Sequence, residues 1–188
     1  MILLENHLLR LLSCFNGAIY HEVNNIQSLL KIYPSIGEIH PAECREQHIQ
    51  SLFFLGLRSA GYYVHSETQY FYPKSNSRRL DLACWLPEIK KWLFIELEHC
   101  SPLSGFKHVL NDAMKFKDDT QKGTLKELKC LLVYGFRDVV TRDTFPEKYE
   151  KLSNALVQKC FSKIEISRTP LFGKNYKYLQ TGLWAYRH

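Results

Sequence analysis

A chain of 188 residues suits one domain, with room for a small appendage. Hydrophobic residues make up 45% and charged residues 23%, the balance of a soluble globular protein rather than a disordered or fibrous one. The net charge of +6 permits a polyanionic partner without requiring one.

The first segment, MILLENHLLRLLSCF, repeats Leu4, Leu8, Leu11 and Leu12 at helical spacing and predicts an amphipathic helix over 2–15, ending near Asn16-Gly17. Glu5, His7 and Arg10 interrupt its apolar run, which argues against a signal peptide. A second short helix is expected in EVNNIQSLLKIY, stopping before Pro34, with a loop between Pro34 and Pro41. Residues 1–40 thus read as an N-terminal helical extension, and 41–188 as the main α/β domain. No apolar run approaches the length of a membrane span.

A longer helix follows from Pro41, with Ile49, Leu52, Phe53 and Leu57 as its stripe and Gly61 as its stop. YYVHSETQYFY, RRLDLACWL and KKWLFIELEHC read as three strands of an antiparallel meander. Helical spacing returns over 102–121, and CLLVYGF (130–136) reads as a strand buried on both faces. A further helix is expected over about 145–160, then a short strand in KIEIS. The tail from Arg168 is aromatic and basic without a clear period, and is expected to pack on the core. A meander followed by helical crossovers gives a mixed central sheet with helices on both faces.

The six cysteines show no C-x-x-C spacing, and three lie in apolar runs where a free thiol acts as a small hydrophobe. Together with the absence of secretory features, this points to a reducing, cytoplasmic address. No Walker loop, G-x-G-x-x-G or nucleophile elbow is present, which argues against a nucleotide-driven enzyme or a serine hydrolase.

The informative stretch is IELEH. Glu96 and Glu98 alternate onto one face of a strand, where two like charges repel. If Pro87 to Lys90 form the hairpin loop, Leu86 faces Lys91, Trp85 faces Trp92 and Asp81 faces Glu96. Asp81, Glu96 and Glu98 then share one face, and a one-residue slip would separate Asp81 from both glutamates. Two counter-charges are open. One is a divalent cation, since Mg²⁺ takes carboxylate oxygens, activates water and stabilises charge building on phosphorus. The other is a set of salt bridges to Arg78, Arg79, Lys107 or Lys115.

From Glu46 onward, over roughly 42–167, the chain resembles the PD-(D/E)XK nuclease superfamily. Asp81 in RRLDLACW matches that family's first acid, and Glu96 in FIELEH the second, fifteen residues on. The resemblance implies an α-β-β-β-α-β restriction-endonuclease-like core and metal-dependent hydrolysis of phosphodiester bonds, most often of DNA. It implies Mg²⁺ or Mn²⁺ at Asp81, Glu96 and Glu98, with Glu46 from the first helix as a further ligand. Where the family usually carries lysine, this chain has Glu98. Some restriction endonucleases of the superfamily have glutamate there; in others the lysine comes from the following helix, where Lys107 and Lys115 stand. Lys115 joins Asp81, Glu96 and Glu98 as the expected catalytic set. Arg78, Arg79, Lys107 and Lys117 are the expected phosphate contacts. His99 adjoins the acids and reads as a hydrogen-bonded strand end rather than a proton carrier. The alternative is a catalytically inactive nuclease-fold protein that binds nucleic acid or assembles with a partner. A homodimer or a targeting partner is compatible with the short chain.

Overall fold

The computed structural model describes residues 2–32, 46–68, 80–100, 106–121, 128–137, 145–171 and 178–186. Two helices open the chain, α1 (Ile2–Ile32) and α2 (Glu46–Ser59). Three strands follow, β1 (Tyr63–Thr68), β2 (Leu80–Leu86) and β3 (Lys91–His99). Next come α3 (Lys107–Gln121), β4 (Leu128–Arg137), α4 (Phe145–Val157), β5 (Phe161–Pro170) and β6 (Tyr178–Tyr186). The strands form one mixed sheet in the order β1-β2-β3-β4-β6-β5. The meander β1-β2-β3 is antiparallel, β4 runs parallel to β3 after the α3 crossover, and β6 pairs antiparallel with both β4 and β5.

Strand alternation sends side chains to two separate cores. Leu82, Cys84, Leu93, Ile95, Leu97 and Leu132 meet Leu8, Phe15, Phe53 and Leu57 from α1 and α2. Ala83, Phe94, Leu131 and Val133 meet Val109, Ala113 and Phe116 of α3 and Tyr149, Leu152 and Leu156 of α4. The architecture is therefore three layers, helices over both faces of the sheet. β4 supplies both cores, so its run of Cys130, Leu131, Leu132, Val133 and Tyr134 is continuously apolar.

Three expectations change. The break at Asn16-Gly17 does not occur, and α1 is one helix of 31 residues. Asn16 turns inward instead: its Nδ2 donates to Ser167 Oγ at 2.9 Å and its Oδ1 accepts from Thr181 Oγ1 at 3.1 Å. Docking on the sheet offsets the ~1 kcal/mol that a mid-helix glycine costs. α1 packs against α2, β5 and β6.

The tail holds a full strand, β6, inserted between β4 and β5. Leu179, Gln180, Thr181, Leu183 and Trp184 are all buried there, so burial does not alternate along it. That explains the missing sequence period, while the expected packing of the tail on the core holds for Trp184. β5 is also longer than KIEIS, at 10 residues.

α2 ends as expected. Gly61 takes φ +88°, Tyr62 N donates to Leu57 O at 3.0 Å and Gly61 N to Arg58 O at 3.0 Å, a Schellman closure. Among the described residues no helix is long and apolar enough to cross a membrane.

Candidate acidic site

The β2–β3 register is the expected one, with Leu86 opposite Lys91, Trp85 opposite Trp92 and Leu82 opposite Ile95. One step further, Asp81 lies opposite Glu96. Glu96 and Glu98 pair in β4 with Leu131 and Val133, which face α3 and α4. The acids therefore stand on the α3 side of the sheet, at the C-terminal end of β3.

Each acid is held differently. Asp81 is half-buried, and its Oδ2 accepts a 2.7 Å hydrogen bond from Leu97 N, just past the Leu82–Ile95 rung of the hairpin ladder. Its backbone carbonyl accepts another from Gln50 Nε2 at 2.7 Å, which ties α2 to this end of β2. Glu96 is 5% exposed. Glu98 is half-buried and hydrogen-bonded to Asp112 of α3. Burial above all, then the bond to Asp112 and the negative charges of Asp112, Glu46 and Asp81, lift the Glu98 carboxyl from its ordinary 4.5 up to about 9. At neutral pH it is a protonated acid donating to the Asp112 carboxylate.

Asp112 is the residue the sequence reading missed. It is 5% exposed and lies among Val109, Ala113 and Phe116, the buried stripe of α3. An acid three residues after Val109 and four before Phe116 falls on that stripe. Its position on the apolar face was the available signal.

The remaining expected residues divide. Glu46 opens α2, exposed but close enough for its charge to act on Glu98. Lys107 is exposed at the start of α3. Arg78 and Arg79 lie outside the described residues, as do the side chains of Lys115 and Lys117. His99 turns the other way, its ring 5.3 Å from that of Tyr134 on the α1 and α2 side.

Among the described residues, no group of three or more His, Cys, Asp or Glu side chains is arranged to hold a metal ion. The donor set nonetheless fits a hard cation in kind, being carboxylate oxygens crowded enough that one of them keeps its proton. As it stands, the cluster is neutralised in part by that proton. No family model matches the chain, and neither a curated protein nor a solved structure matches it.

Proposed function

We propose that this protein is a metal-dependent nuclease that hydrolyses phosphodiester bonds, its site built on the ends of β2 and β3 and closed by α2 and α3. The observation that carries this reading is Glu98, a half-buried carboxyl whose pKa is raised first by burial and then by its bond to Asp112 and the charges of Asp112, Glu46 and Asp81. Four acids from four elements are concentrated where their mutual repulsion costs stability, a pattern typical of functional rather than structural groups. The order α2-β1-β2-β3-α3-β4, with an antiparallel meander and a parallel crossover, supports the same reading.

Asp81, Glu96 and Glu98 are the proposed ligands of Mg²⁺ or Mn²⁺, with Glu46 and Asp112 as flanking acids. When bound, such a cation stabilises negative charge on a phosphoryl oxygen and lowers the pKa of water. The chain's own groups prepare for this. The Leu97 amide fixes the Asp81 carboxylate, Gln50 fixes the strand beneath it, and a hydrogen bond to Asp112 fixes Glu98. Lys107 and the proposed basic set Arg78, Arg79, Lys115 and Lys117 serve phosphate binding and water positioning.

The test is cleavage of plasmid and single-stranded DNA with Mg²⁺ or Mn²⁺. Asp81→Asn and Glu96→Gln should each slow cutting by ~100-fold or more, as loss of a charge-stabilising group does elsewhere. Wild-type protein that cuts nothing, or variants that cut as fast, would overturn the proposal. The second reading, an inactive nuclease-fold binding subunit, is favoured by the internal engagement of Asp81 and Glu98.

A further inference from the structure

The same face of the meander carries a second feature at its other end. Tyr63 pairs with Trp85, and Trp85 with Trp92, so all three project to one side of the sheet. His65, two residues after Tyr63, joins them. The rings touch in a chain: Tyr63 to His65 at 5.0 Å, His65 to Trp92 at 5.7 Å, Trp92 to Trp85 at 5.4 Å. Tyr63 is 53% exposed, His65 is exposed, and both tryptophans are half-buried. The Arg58 guanidinium stands 5.9 Å over the Tyr63 ring.

Trp184, Tyr149, Tyr134, Phe94 and Phe116 are fully enclosed, whereas Tyr63 and His65 stand exposed on β1 against two partly accessible indoles and an arginine. Exposed rings at mixed angles suit π-stacking, and an adjacent guanidinium suits a phosphate. Glu96 follows Trp92 by four residues on β3 and shares its face, but Ala83 and Phe94 between them are fully enclosed beneath α3, so the rings form a surface separate from the acids. A duplex hides its base faces, whereas an unpaired strand offers them.

We infer that the Tyr63, His65, Trp85 and Trp92 surface is a stacking platform for single-stranded nucleic acid. The inference rests on the proposed nuclease reading, whose substrate it narrows to unpaired strands, tails or flaps.

The experiment is a titration of the protein with oligo(dT) in EDTA, read by intrinsic tryptophan fluorescence. Trp184 is fully buried, so quenching reports on Trp85 and Trp92. Oligo(dT) should quench, and a blunt duplex of equal length should bind at least tenfold more weakly. Tyr63→Ala with His65→Ala, both at exposed positions, should lower oligo(dT) affinity about tenfold without moving the melting temperature. Unchanged emission, equal affinity in the double variant, or equal binding of blunt duplex overturns the platform. So does a concentration-dependent dimer, abolished by the double variant, which would give the surface to a second protein chain. Because no divalent cation is present, the outcome is independent of cleavage. Binding without cutting in Mn²⁺ refutes the nuclease alone, and cutting with no effect of the double variant refutes the platform alone.

Discussion

At the scale of single residues, Glu98 sets the pH behaviour. Its folded-state pKa of about 9 lies above the 4.5 of an ordinary carboxyl, so between those values the folded state holds a proton that the unfolded state has lost. Stability from this group is full below about 4.5 and drains away as pH rises toward 9. Glu98→Gln keeps a hydrogen-bond donor toward Asp112 without the charge. It should flatten that decline and raise the melting temperature at pH 8 by about 2–4 °C, the shift a ~1 kcal/mol gain gives at this size. Thermal melts across pH check it, and a variant with the wild-type slope sinks the assignment. In a carbon-detected NMR titration, Asp112→Asn should move the Glu98 midpoint down, because the strongest single neighbouring charge is gone. If the cation reading holds, metal binding displaces the Glu98 proton, so affinity climbs with pH. Calorimetry in buffers of different ionisation heat would count that proton.

Among the elements, β6 is the most constrained. A Cβ on Gly182 would collide with the Trp184 indole and come within 2.6 Å of Tyr149 Cε1. The indole of Trp184, its Nε1 bonded to Ser153 Oγ at 3.1 Å, lies folded over that glycine. Gly182→Ala forces the ring pair apart and should cost about 1–3 kcal/mol, measurable by urea unfolding. A cost below ~0.5 kcal/mol would mean the rings move freely. The α1 anchor works through polar bonds: Asn16, Ser167 and Thr181 bond one another beneath a fully enclosed Thr181. Asn16→Ala leaves the enclosed Thr181 and the half-buried Ser167 bonded only to each other, a loss of about 1 kcal/mol.

For the molecule as a whole, one face of the sheet is covered by α1 and α2 and the other by α3 and α4. Removing residues 1–40 uncovers Leu82, Ile95, Leu97 and Leu132 along with the inner face of α2. Such a truncation should yield aggregating protein with ANS-binding surface rather than a smaller folded domain. The thiols give an independent measure of compactness. Burial pushes Cys84 up to about 12 and raises Cys130 further, whereas Cys160 is exposed. Cys160 should react with Ellman's reagent within the native state, and Cys84 and Cys130 only at the rate of unfolding.

The hairpin was legible in the chain because alternation and a four-residue loop leave little choice of register. Leu86 to Lys91 fixes where Asp81 and Glu96 must fall. Gly61 marked its helix end because only that residue enters positive φ freely. Local chemistry of this kind is written in neighbouring residues. What the chain could not reveal depends on partners far along it. Asn16 reads as a stop until hydroxyls 151 and 165 residues away satisfy it within α1. The β6 strand shows no period because both its faces are buried, and burial is a property of the assembled sheet. Asp112 falls on the apolar stripe of α3 in the sequence, but its partner Glu98 is named only once α3 is laid across β3. The sequence by itself determined the order of elements from α2 to β5 and the β2–β3 register, through alternation and turn chemistry. The tertiary structure alone decided which acids meet and which rings stay open to water, since proximity and desolvation arise only when the layers close.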